Sequence, residues 1–198
     1  MLDAAFRRWA AVPDAELAKA HAIFRPRRLP ARSYLQRAGE PVEQVSFITR
    51  GLTRFCYLVE GGAVRTTGFR AEGELVCAYA AALRQAPSQQ FIEALEPCEL
   101  LTASRSAFVQ LCAGHPAWGQ VLAALTERLF LDEQRRHRDL LTEDAAARYQ
   151  TFVAERPELA GRLTQRQIAS YVGVSPEALS RIRTALAHGE AGHRPALM

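Results

Sequence analysis

The 198-residue sequence predicts an α+β chain with a β-rich N-terminal region closing into a barrel or sandwich, one long amphipathic helix, and a small helical C-terminal domain. Three observations carry this. Between residues 27 and 104, short runs rich in Val, Ile, Phe, Tyr and Thr recur about every ten residues, separated by Gly, Pro and Glu, which is the pattern of many short antiparallel strands. Beyond Ser104 the apolar residues fall three and four apart instead, the helical period. Near the end, residues 163–186 read LTQRQIASYVGVSPEALSRIRTAL, two short helices joined by a tight turn.

Taken in order, residues 14–24 form a short helix with Leu17, Ala20 and Ile23 on one side, bounded by Pro13 and Pro26. The strand-like runs are RSYLQRAG, QVSFITRG, LTRFCYLVEG, VRTTGFRAEG and FIEALEPCELLTAS. Gly61-Gly62 between two of them suits a hairpin turn. Residues 80–90, AAALRQAPSQQ, break the alternation and read as a helical turn or loop across the barrel, the kind of excursion on which ligand sites are built. SRSAFVQLCAGH is helical. Past Pro116 a long run keeps Trp118, Leu122, Leu125, Leu129, Arg136 and Leu140 on a spacing of three and four, with Val121, Phe130 and Leu141 widening the stripe. Such a seam suits packing on a second copy of the chain. Thr142, Glu143 and Asp144 start a further helix, with Tyr149, Phe152 and Val153 inward and Pro157 near its end.

The closing stretch carries consistent local signals. Thr164 and Gln167 make a T-x-x-Q capping box, which satisfies two otherwise unpaired backbone donors. Ile168, Ala169 and Val172 recur at helical spacing, and Gly173 supplies a residue able to take positive φ where the first helix stops. Ser175 caps the second helix, Pro176 fits its first position, and Glu177 favours the positive end of its dipole. Leu179, Ile182 and Leu186 form one stripe, leaving Glu177, Ser180, Arg181 and Thr184 opposite at about 100° per residue. A helix-turn-helix for DNA divides its labour this way, the second helix lying in the major groove. An Arg near its start pairs bidentately with guanine.

Composition bounds the rest. Hydrophobic residues make up 48% of the chain, enough for a sizeable core, and the net charge of +4 permits an anionic partner. Lys19 is the only lysine. There is no run of about 18 apolar residues and no apolar secretory segment at the start, so a soluble cytoplasmic protein is expected, with no membrane partner. Cys56, Cys77, Cys98 and Cys112 lie 21, 21 and 14 residues apart with no C-x-x-C pair. They read as reduced, buried side chains rather than metal or cluster ligands. No histidine falls between Leu29 and Leu101.

The whole arrangement resembles the Crp/Fnr family of bacterial transcription regulators over nearly the entire chain. The most specific match is IASYVGVSPEALSRI at residues 168–182, similar to the family signature I-[AG]-x-x-[LVI]-G-x-[ST]-x-E-[TA]-[VL]-[SG]-R-x. The resemblance implies a double-stranded β-helix, jelly-roll-like sensor domain over residues 1–114, a dimerisation helix over 115–142 and a DNA-binding domain over 143–198. It places Glu177 and Arg181 at the two base-reading positions, while Pro176 replaces the Arg often found before that Glu. The expected DNA-contacting set is Thr164, Gln165, Arg166, Ser175, Pro176, Glu177, Ser180, Arg181, Arg183 and Thr184, with Arg166 and Arg183 meeting phosphates. From Arg148 onward seven Arg face four Glu, a modest basic excess.

Two departures limit what carries over. Members that bind cyclic AMP have G-E-L-x-L followed by R-[ST]-A, in which Glu holds the ribose and Arg the cyclic phosphate. Here Gly73-Glu74-Leu75 runs into Val76-Cys77-Ala78-Tyr79, and Pro87-Ser88-Gln89-Gln90 stands where the Arg belongs, with Arg84 nearby but wrongly spaced. Cyclic AMP is therefore disfavoured, and an effector pocket would use Glu74, Tyr79, Ser88 and Gln89. No cysteine precedes Cys56, so the cluster ligands of oxygen-sensing members are missing. At the carboxyl end AHGEAGHRPALM is too short and polar for a developed wing. Such a β-barrel also resembles the cupins, but their two or three metal-binding histidines are absent. No catalytic set, metal site or cofactor is legible. The expected partners are double-stranded DNA, a second copy of the chain, RNA polymerase and an unidentified small-molecule effector. The alternative is a ligand-binding or interaction module of the same fold without sequence-specific DNA binding.

Overall fold

The computed structural model describes residues 1–189. The chain divides into two compact units, Met1–Phe130 and Leu131–Met198. In the first, helices α1 (Leu2–Arg7) and α2 (Asp14–Ile23) precede eight strands: β1 (Arg25–Leu29), β2 (Tyr34–Gln36), β3 (Gln44–Arg50), β4 (Thr53–Leu58), β5 (Val64–Arg70), β6 (Leu75–Val76), β7 (Phe91–Ala94) and β8 (Cys98–Ser104). A short helix α3 (Tyr79–Arg84) interrupts them, and α4 (Arg105–Ala113) follows. All strand pairings are antiparallel, in two four-stranded sheets ordered β1-β8-β3-β6 and β2-β7-β4-β5. This is a mixed helix and sheet fold whose N-terminal part is a β-sandwich.

The sandwich core comes from alternate residues. Ile48 and Leu100 of one sheet meet Ile92 and Ala94 of the other, with Val76, Ala78 and Cys98 in the same cluster. The opposite face of the first sheet offers Val45, Phe47 and Ala103 to a second cluster. There Phe6, Leu17, Phe24, Phe108 and Trp118 cover them. Strand β3 is thus buried on both faces, which is why VSFI reads as a continuous apolar run rather than an alternating one. Gly51 follows it at φ 112°, where a Cβ would meet the Cys98 Sγ at 2.6 Å and the Cys98 Cα at 2.8 Å, so no side chain fits. Gly61 and Gly62, at φ 80° and 77°, form the tip of the β4–β5 hairpin.

Several elements depart from the sequence expectation. Helix α1 is anchored by Leu2, Ala5 and Phe6 rather than by any start signal. Strand β1, RPRRL, buries only Leu29. It is an edge strand, where Pro is tolerated and polar side chains face water. The run FIEALEPCELLTAS is two strands, because the chain passes from one sheet to the other between Ala94 and Cys98.

Helix α5 (Pro116–Thr142) begins inside the first unit, with Ala117, Trp118 and Val121 buried. The Trp118 ring packs edge-on against Phe6 at 4.9 Å, and its Nε1 donates to the buried Glu16 Oε2 at 3.0 Å. Lys19 completes the Glu16 site at 2.6 Å. Trp118 and Val121 are therefore consumed within their own unit, and later apolar residues of the stripe, Phe130, Leu140 and Leu141, are exposed. In the second unit the remainder of α5 is followed by α6 (Ala145–Glu155), the single turn α7 (Pro157–Ala160), α8 (Gln165–Val172) and α9 (Pro176–Ala187). Its buried anchors are Phe152, Leu159, Leu163, Ile168, Ala169, Val172 and Leu179. Among the described residues no helix is long and apolar enough to cross a membrane.

Candidate nucleic-acid interface

The end of the chain is built from its caps. Thr164 Oγ1 accepts from the Gln167 N–H at 3.3 Å, and Gln167 Oε1 accepts from the Thr164 N–H at 2.7 Å, closing the capping box that starts α8. Gly173 ends it in the left-handed region, φ 89° and ψ 27°, its N–H donating to the Ala169 carbonyl. Ser175 Oγ accepts from the Ala178 N–H at 3.2 Å, with Pro176 at the first position of α9. Leu179 is fully buried while Glu177, Ser180, Arg181, Arg183 and Thr184 are exposed.

The individual side chains differ in what they offer. The Glu177 carboxyl is held below its usual range by its own backbone N–H, the Ser175 hydroxyl and the nearby Arg181, so it stays charged. Thr184 Oγ1 donates to the Ser180 carbonyl at 3.1 Å, turning its hydroxyl back to the helix. Gln165 Nε2 donates to the Pro176 carbonyl at 3.4 Å and so braces the start of α9 from α8. Thr164 serves as a cap. Arg166 is exposed at the start of α8. The face that α9 presents is thus Glu177, Ser180, Arg181 and Thr184, flanked by Arg183.

Sequence reasoning did not find two arginines at the back of this motif. Arg136, near the end of α5, donates to the Tyr171 carbonyl at 2.9 Å and lies 4.1 Å from the Tyr171 ring centroid. Arg148 of α6 donates to the Val172 carbonyl at 3.0 Å and also to the Glu143 carbonyl. Arg136 had read as part of the self-packing seam. Its spacing alone cannot tell an apolar neighbour from a helix end, and nothing local marks Arg148.

The four residues expected in an effector pocket have different settings. Glu74 sits in the turn between β5 and β6, where its Oε2 accepts from the Ala71 N–H at 2.8 Å. Its Oε1 lies 3.9 Å from Arg70 and 3.8 Å from Arg128. Tyr79 opens α3, and its hydroxyl bonds to Thr126 Oγ1 of α5 at 2.8 Å. Ser88 is buried, its hydroxyl both donating to and accepting from Gln90 across a tight turn. Gln89 is exposed beside it, and Arg84 is exposed at the end of α3. Position 78, just after the β6 strand, holds a buried Ala.

All four cysteines are free thiols. Burial pushes Cys77 and Cys112 up to about 11 and raises Cys56 as well, so they stay protonated and poorly nucleophilic. Among the described residues no group of three or more His, Cys, Asp or Glu is placed to hold a metal ion. The second unit has no strand between α6 and α8. Residues from 190 on, where the lack of a wing was expected, lie outside the described residues.

Residues 26–115 match the cyclic nucleotide-binding domain family. No curated protein sequence matches the chain. Among solved structures it is similar to the c-di-GMP-responsive global regulator CLP of Xanthomonas campestris, at 19% identity and TM-score 0.74, covering 93% of this chain and 96% of that one. It is similar to the catabolite activator protein of Thermus thermophilus at 25% identity and TM-score 0.57, covering 94% and 89%. FixK2 of Bradyrhizobium japonicum gives 20% identity and TM-score 0.72, covering 88% and 90%.

Proposed function

We propose that the chain, whose residues 26–115 match the cyclic nucleotide-binding domain family and whose fold is similar to that of Crp/Fnr regulators, is a homodimeric DNA-binding transcription regulator, not an enzyme. The observation that carries this is α9: a helix anchored by Leu179 and capped by Ser175, with Glu177, Ser180, Arg181 and Thr184 exposed on one face. That is the division a major-groove helix needs. Thr164, Gln165, Ser175 and Pro176 act by fixing the two helices together. Arg166 and Arg183 supply charge for phosphates, which positions the protein without reading sequence.

Dimerisation through α5 is supported by apolar side chains that stay exposed along the helix. Phe130 and Leu141 are exposed and eleven residues apart, which puts them three turns apart on one side of the helix. Two such stripes facing each other would bury them and set two copies of α9 on one side of a duplex. The domains then fall as a sensor over 1–114, a dimer helix over 115–142 and a DNA-binding domain over 143–198. RNA polymerase is the partner such a regulator would address once on its operator.

The effector is not cyclic AMP on this reading. The cassette lacks its Arg, Ala78 stands in a buried position after β6, and Glu74 is engaged in its own turn. Selection from random duplexes followed by gel shift tests the proposal. A single enriched palindrome with half-sites about 34 Å apart supports it. Retention with no enriched sequence instead favours an interaction module that shares the fold without reading DNA.

A further inference from the structure

We infer that Arg136 and Arg148 are positioning residues that grip the C-terminal end of α8 and thereby fix the direction of α9. The last carbonyls of a helix have no partner within it. In α8 the Ala169 carbonyl is satisfied by the N–H groups of Gly173 and Val174. The carbonyls of its last two residues, Tyr171 and Val172, each receive a guanidinium, from Arg136 of α5 at 2.9 Å and from Arg148 of α6 at 3.0 Å. Both bonds are charge-assisted, and both place a cation at the negative end of the helix dipole.

The grip sits at the pivot of the motif. Tyr171 and Val172 are the last two residues of α8, and Ser175, the cap of α9, is three residues beyond Val172. Arg136 also stacks on the Tyr171 ring, which packs in turn on Phe152 of α6 at 5.1 Å. One turn further along α5, Leu140 lies 3.8 Å from where a Gly173 Cβ would be. The hydrogen bond and the ring stack of Arg136 therefore tie the last turns of α5 to the end of α8, with Leu140 alongside Gly173. These turns belong to the same compact unit as the two-helix motif. The end of the long helix and the two-helix motif then move as one piece, so that rotation of this part of α5 re-aims α9 without passing through a loose joint at residues 143–144.

The inference rests on the reading of α9 as the DNA-contacting helix, and its test separates the two. Arg136→Leu keeps an apolar stem and removes the donors, whereas Arg136→Lys keeps the charge. In the full-length protein, Arg136→Leu should weaken binding to the selected palindrome roughly tenfold. Binding to a scrambled duplex should stay within about twofold, because phosphate contacts made by other arginines are retained. Arg136→Lys should recover part of the loss. Hydrogen exchange should speed up over residues 170–178 and not over β3 or β8. Equal weakening on both duplexes, or unchanged exchange over residues 170–178, overturns the inference. If the wild-type protein does not distinguish the duplexes, the DNA-reading proposal fails, and the exchange result alone decides the grip. Arg148→Met gives the same comparison should Arg136→Leu not fold.

Discussion

Arg181 is exposed on α9 one turn after Glu177, whose carboxylate stays ionised beside it. On the proposed reading a guanidinium in that place pairs bidentately with one guanine, so Arg181→Ala should cost roughly 1–3 kcal/mol of specific binding and relax preference at one base pair. Competition binding against a panel of single-substituted operators reads this directly. An unchanged preference at every position would remove Arg181 from the reading face. Gly173 is a residue whose backbone, not its surroundings, decides. Its φ of 89° suits glycine, while an added Cβ would meet only Leu140, at an ordinary 3.8 Å. Gly173→Ala should therefore destabilise the second unit by about 1–2 kcal/mol through backbone strain alone, measurable by chemical denaturation.

At the scale of the element, the contact between α2 and the start of α5 holds a buried carboxylate. The Lys19 ammonium first, then the Trp118 indole N–H, keep the Glu16 carboxyl below its ordinary value, against the opposing effect of burial. A carboxyl so lowered contributes stability that is fully present above its unfolded value and is lost as pH falls through the folded one. Acidification below the ordinary glutamate range should therefore loosen α2 from α5 and change Trp118 fluorescence. Glu16→Gln should remove that acid-dependent change while leaving the neutral-pH fold intact. A transition of the same midpoint in Glu16→Gln would assign it to another carboxylate. The pairing of Glu16 with Trp118 spans 102 residues of sequence, and neither residue's neighbours announce it.

For the whole molecule, the fold is similar to that of solved Crp/Fnr regulators, and on the proposed reading the residues that would hold a cyclic phosphate are replaced. Adding cyclic AMP should leave the melting temperature of the first unit unchanged, because a ligand stabilises only what it binds. A saturable upward shift would overturn the reading of the Glu74 and Ser88 region. Glu74 stands between Arg70 and Arg128, and Ser88 closes a turn with Gln90. Glu74 thus bonds within its own turn and toward α5, and Ser88 within the turn that precedes β7.

What was legible in the sequence was whatever is decided within a few residues. The caps of α8 and α9, the left-handed Gly173, the glycine hairpin between β4 and β5 and the switch from strand to helical period near Ser104 all follow from local backbone chemistry. The tertiary structure alone decided the elements whose stability comes from distant partners. Strand β1 exists because β8 pairs with it, α1 because Phe6 meets Trp118, and β7 and β8 separate because the core needs both sheets. It also decided which part of α5 stays uncovered and that Arg136 grips α8. A helical spacing specifies a face, and only packing specifies what that face meets.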